Sequence, residues 1–167
     1  MKKTITINPI SVKSSDKAIA EVENYSKQMN MQIKAISDAI EKRGAEILRD
    51  KIAQTTNGKG DLANSIVTWS EHVGEGKTRT FIRLNSNYAA YVEFGTGIKG
   101  QSGKHPDVAS VGWVYDVNQH GEKGWVYKDD DGDFYWTKGH EANPILYETL
   151  QQLKAEFPSI VRGVMSY

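Results

Sequence analysis

The longest regular pattern in the chain is a narrow apolar stripe between about residues 16 and 56. Its members recur mostly every three or four residues, with steps of seven where one turn is skipped, which is the period of an α-helix. They are Ile19, Val22, Met29, Ile33, Ile36, Ile40, Ile47 and Ile52. A helix of roughly 40 residues is about 60 Å long, which exceeds the width of a small domain. The stripe therefore predicts a helix that packs along a sheet or, alternatively, projects onto another subunit.

Breaks in this long helix are predicted at two places. Gly44 lies inside the pattern and weakens the helix or divides it. Asn57-Gly58 follows the last apolar member and is the predicted C-terminal stop. Before the helix, residues 3–7 alternate and predict a short edge strand that Pro9 interrupts.

The middle of the chain has the alternation of β-strands. Residues 61–73 and 77–84 alternate on either side of Gly74-Glu75-Gly76 and predict an antiparallel hairpin. A short helix is predicted over 88–94, with Gly95 as its left-handed stop. Residues 95–112 are rich in glycine and polar residues and are predicted to form a loop.

A second amphipathic helix is predicted at the C-terminus. Asn143 is its expected N-cap, and Pro144 takes its first position. Pro158 is expected to kink or restart it, because proline removes a donor and clashes with the preceding turn. The residues of its apolar stripe are Leu146, Leu150, Leu153 and Phe157.

These elements and the length of 167 residues predict a single α+β domain. An antiparallel twisted sheet packs against the long N-terminal helix and the shorter C-terminal helix, and an aromatic hairpin is inserted. The expected segments are an N-terminal strand or arm (1–15), the long helix (16–56), the sheet, corner and hairpin (61–142), and the C-terminal helix (143–167).

Composition excludes several classes of function. Lys+Arg and Asp+Glu are both 21, whereas a protein that grips nucleic acid is usually basic. Cysteine is absent, which excludes disulfides, thiolate metal sites and cysteine catalysis. No apolar run reaches 18 residues, and the N-terminus does not resemble a signal peptide. We therefore expect a protein without a membrane span that stays in the cell that makes it.

No cofactor, metal or catalytic motif is complete. The glycine-rich "GTGIKGQSGKH" lacks the first glycine and the final Ser/Thr of a phosphate loop. The "DDDGD" stretch has Tyr127 and Lys138 where a calcium loop needs oxygen ligands, so a turn at Asp131-Gly132 explains it better. The four histidines have no metal-ligand spacing, and no Gly-x-Ser-x-Gly nucleophile elbow exists.

The stretch "NYAAYVEFGTG" (87–97) raises the sharpest question about chemistry. Glu93 is either a catalytic carboxylate or a structural one. In the structural interpretation it accepts hydrogen bonds from N–H groups of the following turn, or it caps a neighbouring helix. The neighbouring tyrosines and Phe94 would then pin this corner to the sheet.

The aromatic segment from Trp113 to Trp136 allows three interpretations. Its main members are Trp113, Trp125, Tyr127, Phe134 and Trp136. They fill the core, form a protein interface, or stack on sugars or single-stranded nucleic acid. The order of preference is core, interface, and then sugar or nucleic acid.

The order of these features resembles the bacteriophage head–tail joining, or tail-completion, family of neck proteins. The signature Tyr-Ala-x-Tyr-Val-Glu-Phe-Gly-Thr is met without a gap, and Gly97 follows it. Its residues are Tyr88, Ala89, Tyr91, Val92, Glu93, Phe94, Gly95 and Thr96. A second element is met by Gly60, Leu62, Ser65 and Ile66, and a third by Ala142 and Pro144, with Ile145 departing from the usual aromatic residue. The aromatic segment is similar to that of relatives from phages of Gram-positive hosts.

The resemblance implies a structural virion protein without catalytic residues. It implies a homo-oligomeric ring, expected to be hexameric in the virion, at the neck, assembled in the host cytoplasm. Expected partners are head-completion (stopper) or tail-terminator and tail-tube proteins, with genomic DNA only as passing cargo and no membrane. The alternative function is a carbohydrate-binding module that uses the aromatic hairpin, and an enzyme acting through Glu93 and the hairpin aspartates ranks third.

Overall fold

A computed structural model describes residues 12–55, 61–74, 76–116, 118–128 and 131–166. The predicted α+β class is confirmed, with a long N-terminal helix, a C-terminal helix and two antiparallel sheets of two strands each. In chain order the elements are α1 (Val12–Thr55), α2 (Asp61–Asn64), β1 (Ile66–Gly74), β2 (Lys77–Leu84), α3 (Ala89–Phe94), α4 (Gly97–Ser102), α5 (Val108–Val111), a 3-10 turn (Gly121–Lys123), β3 (Trp125–Lys128), β4 (Phe134–Thr137) and α6 (Ile145–Met165). The predicted strand over 3–7 and stop at Asn57-Gly58 lie outside the described residues.

The long helix is confirmed and is 44 residues long. It continues through Gly44, so this glycine does not divide the helix. A Cβ atom at this position would lie 2.1 Å from Cδ1 of Ile82 in β2. Glycine therefore lets β2 approach the helix closely, and this packing offsets the low helix propensity of the residue.

Contacts divide the chain into two compact units. The core unit consists of Arg43–Thr68 and Ile82–Ala155. The hairpin unit consists of the described residues up to Lys42, Trp69–Phe81 and the described residues from Glu156. Several helices and strands continue from one unit into the other, and each unit has its own packing.

The core unit contains the main hydrophobic cluster. Its buried members are Leu48, Ile52, Leu62, Leu84, Ala89 and Ile145. They come from α1, α2, the end of β2, α3 and the start of α6, so five short or partial elements share one interior. Burial of such side chains is the main stabilising contribution to a unit of this kind.

The buried face of α6 differs from the predicted stripe. Ile145, Thr149 and Leu153 are buried at intervals of four residues, whereas Leu150 and Phe157 are about half exposed. Thr149 is accepted in the interior because its hydroxyl donates to the carbonyl of Ile145 at 2.6 Å. The helix also continues through Pro158, so the expected restart does not occur there.

Two leucines on α6 provide a matched test of this packing. Leu153 is 8% exposed and Leu150 is 50% exposed. We expect Leu153→Ala to lower the free energy of unfolding by about 2–4 kcal/mol, because it leaves a cavity. Leu150→Ala should change it by less than about 1 kcal/mol. Chemical denaturation of both variants measures the difference, and equal losses would contradict the assigned buried face.

The segment before β1 is helical where a strand was predicted. The strand begins only at Ile66, and Asp61–Asn64 forms the short helix α2. The N–H of Ser65 donates to the carbonyls of Asp61 and Leu62, at 3.1 and 3.2 Å. The apparent alternation at 61–66 is misleading because Leu62 enters the core from a helical turn instead of a strand.

The hairpin unit contains the connected ends of β1 and β2, which confirm the predicted hairpin. Trp69 stacks on Phe81 with ring centroids 4.6 Å apart. Ser70 bonds to Thr80 across the two strands at 2.9 Å, and its hydroxyl also donates to Glu41 of α1. Ring stacking and the Ser70–Thr80 bond thus hold the two strands together, and the bond to Glu41 attaches them to the helix.

The predicted loop over 95–112 contains two short helices. Gly97–Ser102 forms α4 and Val108–Val111 forms α5. Within this segment Gly97, Gly100 and His105 are buried. Glycine content suggested a loop, but these glycines instead allow the backbone to pack closely against neighbouring segments.

Candidate functional site

The candidate site is the corner formed by α3 and the Gly-Thr-Gly that follows it. Ala89 and Val92 of α3 face the hydrophobic cluster of the core unit. Tyr88 and Tyr91 are nearly half exposed, so they do not pin the corner to a sheet as expected. This corner of α3 is held instead through Glu93 and Phe94.

Glu93 caps the N-terminus of α6 from outside that helix. The side chain is buried, with the residue only 4% exposed. One carboxylate oxygen, Oε2, accepts from the N–H of Leu146 at 2.8 Å, and the other, Oε1, accepts from the N–H of Tyr147 at 2.9 Å. The first N–H groups of a helix have no partner within the helix and carry its positive end. Glu93 therefore satisfies two of them and places its negative charge where the helix favours it.

His105 completes the hydrogen bonding of Glu93. It is 4% exposed, and its Nε2 lies 3.1 Å from Oε1 of Glu93. Its Nδ1 lies 3.0 Å from the backbone nitrogen of Asp107, whose N–H donates to it. An Nδ1 that accepts carries no proton, so the network assigns the neutral ring with the proton on Nε2. His105 is therefore a third neutral donor to the Glu93 carboxylate.

An aromatic shell covers this buried pair. Phe94 packs on His105 and stacks on Trp113, with ring centroids 4.5 and 5.2 Å apart. Tyr91 meets Trp113 edge-on, and Tyr147 meets His105 edge-on. The indole N–H of Trp113 donates to the carbonyl of Gly95 at 3.0 Å, so the ring also closes over the end of α3.

The Gly-Thr-Gly segment lies against the chain that leads into α6. Thr96 and His140 form an antiparallel bridge, with the N–H of Thr96 donating to the carbonyl of His140 at 2.9 Å. Gly95 has φ 79° and ψ 171°, so it has a positive φ but not the left-handed helical conformation that was predicted. A Cβ at Gly95 would lie 2.7 Å from the backbone nitrogen of Ala142. Both the backbone angle and the space require glycine here.

Gly97 is restricted in the same two ways. Its φ is +59°, and a Cβ there would lie 2.5 Å from the carbonyl oxygen of Lys138. Its N–H donates to the carbonyl of Tyr115 at 2.9 Å. The two glycines thus let the chain after α3 run directly beside residues 138–142.

The polar groups of this arrangement are buried and hydrogen-bonded to one another or to backbone. Both oxygens of Glu93 and both ring nitrogens of His105 have hydrogen-bond partners. A general acid or base must reach the proton that it transfers, and this pair lies under aromatic rings. The geometry therefore connects α3 to α6 and fixes their angle.

The other described residues that the sequence singled out lie in the core unit. Leu62 enters the core, Ile66 packs against it, and the Ser65 hydroxyl donates to the carbonyl of Leu62 at 2.8 Å. The carbonyl of Pro144 accepts the N–H of Glu148 at 2.9 Å, in the first turn of α6. Gly60 lies outside the described residues.

The model of the HK97-gp10-like family, described as "Bacteriophage HK97-gp10, putative tail-component", matches residues 16–95. Over this stretch the chain is similar to a family of phage tail components. The match confirms the family resemblance over these residues, which include most of α1, the β1–β2 hairpin and α3. No significant match was found among curated proteins or among solved structures.

The aromatic residues after the matched stretch have different surroundings from one another. Trp113 belongs to the corner, and Trp125 stacks on His120 with centroids 5.5 Å apart. Tyr127 stacks on Tyr135 across the β3–β4 hairpin at 5.8 Å. Val126, Phe134 and Trp136 are mostly exposed. Core packing, the preferred interpretation of the sequence, does not hold for the strands of this hairpin.

A polar groove in the hairpin unit was not predicted from the sequence. It has a volume of about 420 Å³ and is lined by Asn30, Ile33, Lys34, Ser37, Asp38, Glu41, Ser70, His72 and Thr78. Lys34 donates to Asp38 at 2.7 Å, and this hydrogen bond raises the pKa of the exposed ammonium group. The groove mixes both charges and has no feature that selects one ligand.

Within the part of the chain that the structure describes, no group of three or more acidic or histidine side chains could hold a metal ion. No helix among the described residues is long and apolar enough to cross a membrane.

Proposed function

We propose that this protein joins heads to tails in a bacteriophage or prophage particle, as a homo-oligomeric ring at the neck that completes the tail. The observation that carries the proposal is the match of residues 16–95 to a phage tail-component family. A tail component is part of the virion and contacts other virion proteins. The head–tail position and the ring are inferred from the family resemblance. That resemblance rests on the signature that begins at Tyr88 and on the two flanking motifs.

The corner supports an assembly role because its polar groups serve the fold. A buried carboxylate with three donors holds two helices in a fixed arrangement. Fixed geometry is what a subunit needs when it must match several neighbours at once. The nearly half-exposed Tyr88 and Tyr91 then present a rigid surface beside this corner, and Tyr is enriched in protein interfaces.

The charge of the chain supports passage of DNA without binding. Equal numbers of basic and acidic residues give a formal net charge of zero, and phosphate binding by a protein depends on an excess of Lys and Arg.

We propose a ring with the sixfold symmetry of the tail, assembled in the host cytoplasm. Its neighbours are head-completion (stopper) or tail-terminator and tail-tube proteins, and the genome is only passing cargo.

Labelling of intact particles tests the position. We expect antibody-gold against the protein to mark the junction between head and tail in purified virions, with a small, fixed number of copies measured by quantitative mass spectrometry. A tagged major capsid protein provides the control for labelling density. Gold along the tail shaft or at its distal tip would contradict a neck position.

A carbohydrate-binding module is the second candidate, and the exposed rings of the β3–β4 hairpin favour it. Phe134 is 72% exposed and Trp136 is 59% exposed, and sugar rings stack on such surfaces. A glycan array distinguishes the two functions. Glycan binding that Trp136→Ala abolishes would support the second candidate, and no binding would remove it.

A further inference from the structure

The N-terminal part of α1 carries an uncovered apolar stripe. We call it the α1 stripe, and its members are Val12, Ile19, Val22 and Tyr25. Ile19 is 57% exposed and Val22 is 55% exposed. At about 100° per residue, Val12, Ile19 and Val22 lie within about 80° of one another around the helix axis. An amphipathic helix normally buries such a face.

Acidic side chains border the α1 stripe. By the same helical geometry, Asp16 and Glu23 lie next to Val12 and Ile19 on one side. Lys13 and Lys17 lie on the far face of the helix. The edge of the stripe is therefore negative, although residues 12–25 also contain lysine.

The β3–β4 hairpin carries a second uncovered surface. The strands pair with Val126 opposite Trp136 and Lys128 opposite Phe134. Val126, Phe134 and Trp136 therefore point to the same side, which we call the hairpin face, and all three are more than half exposed. The Nζ atoms of Lys128 and Lys138 each lie 5.7 Å from a ring centroid, those of Phe134 and Trp136 respectively. Lysines therefore border the rings of this face, and Asp131 and Asp133 lie at its turn end.

Each of the two surfaces has exposed apolar side chains that packing against the other surface would bury. An isolated two-stranded hairpin is marginally stable in water and gains stability from packing against a helix. Four strand residues span about 14 Å, and the eleven residues from Val12 to Val22 span about 16 Å of helix. The apolar patches thus match in length, and their bordering charges are opposite.

We propose that the α1 stripe of one copy packs on the hairpin face of a second copy. Both surfaces are exposed within one chain, so the contact is between copies. It joins two different surfaces and is therefore heterologous, which generates a closed ring or an open filament. The inference rests on the proposed function in one respect: the proposed ring needs a contact between subunits, and this inference names it.

Nucleic acid is a less favourable occupant of the hairpin face. Asp131 and Asp133 lie in the turn that joins the two strands, so the continuous phosphates of a strand would run past them, whereas the short acidic edge of the α1 stripe needs to reach only the two lysines. The chain as a whole has no excess of positive charge. A protein surface with a negative edge can pair with the two lysines. Such pairing needs no excess of positive charge over the whole chain.

Association of the purified chain tests the contact. Sedimentation from about 1 μM to about 1 mM covers the affinities expected of a small interface. The stripe variant is Ile19→Gln with Val22→Gln, and the hairpin variant is Val126→Thr with Phe134→Thr. All four side chains are exposed, so circular dichroism should match the wild type. We expect each variant to need at least about tenfold higher concentration to associate than the wild type.

Mixing the two variants distinguishes this contact from any other. Each mixed pair retains one intact stripe and one intact hairpin face, so the mixture should form dimers and nothing larger. The charge-reversed variant Lys128→Glu should associate more weakly, and adding Glu23→Lys to it should restore association. A monomeric wild type at about 1 mM, a mixture without dimers, or binding of a single-stranded oligothymidine to the hairpin face without association would each overturn the proposal. None of these results depends on whether the protein acts at the neck.

Discussion

Glu93→Ala is expected to lower the free energy of unfolding by about 3–5 kcal/mol. The substitution leaves three donors without an acceptor: the N–H groups of Leu146 and Tyr147 and Nε2–H of His105. Each buried unsatisfied donor costs about 1–3 kcal/mol, and water entering the space recovers part of it. For a chain of this length the melting temperature should fall by about 10 °C.

The conservative variant Glu93→Gln separates hydrogen bonding from loss of volume. Its amide oxygen still accepts two of the three bonds, but its NH₂ group faces a donor. We expect a loss of about 1–2 kcal/mol, less than half that of Glu93→Ala. Glu23→Ala on the exposed part of α1 is the control and should change stability by less than about 0.5 kcal/mol. Wild-type melting of Glu93→Ala would contradict the capping role.

Gly97→Ala is expected to cost about 3 kcal/mol or more. An alanine at φ +59° is unfavourable by about 1–2 kcal/mol, and its Cβ would lie 2.5 Å from the carbonyl oxygen of Lys138. Relief of that clash must displace backbone, because Lys99 and the 138–142 segment hold one another by hydrogen bonds. The displaced segment leads directly into α6, so the cap at Glu93 should weaken as well.

Gly112→Ala is the matched control for this substitution. Gly112 has φ +66°, close to that of Gly97, but no atom lies within 4 Å of a Cβ built there. Only the backbone penalty of about 1–2 kcal/mol should remain. Thermal denaturation of both variants measures the difference, and equal losses would show that close packing at Gly97 has no effect.

Local patterns in the sequence predicted the elements that depend on one face being buried. The stripe from Ile19 to Ile52 predicted α1, and alternation over 77–84 predicted β2 with its observed bounds. The start of α6 after Asn143-Pro144 was also predictable, since proline is favoured in the first turn. Each of these signals lies within the element that it specifies.

The missed features depend on partners far away in the sequence. The donors to Glu93 are backbone N–H groups at 146 and 147, more than fifty residues later. Every residue except proline has a backbone N–H group, so residue type does not show which N–H groups are donors. The sequence therefore predicted that Glu93 could cap a helix but did not identify which helix. The neutral donor His105 likewise looked like an ordinary loop histidine.

Exposed apolar residues were the second source of error. Leu150 and Phe157 fit a helical stripe, yet Thr149 is buried while these two are about half exposed. Hydrophobicity alone cannot distinguish a side chain that faces the chain's own core from one that faces another molecule. The same ambiguity affected the β3–β4 hairpin, where core packing was preferred and the rings are exposed.

Electron microscopy of lysates from a phage that lacks this gene tests head–tail joining most directly. We expect DNA-filled heads and complete tails that are not attached to each other, and joined infectious particles after purified wild-type protein is added. The Glu93→Ala protein, at a temperature where it is unfolded, should fail to restore them. Joined, infectious particles in the complete absence of the protein would contradict the proposed function.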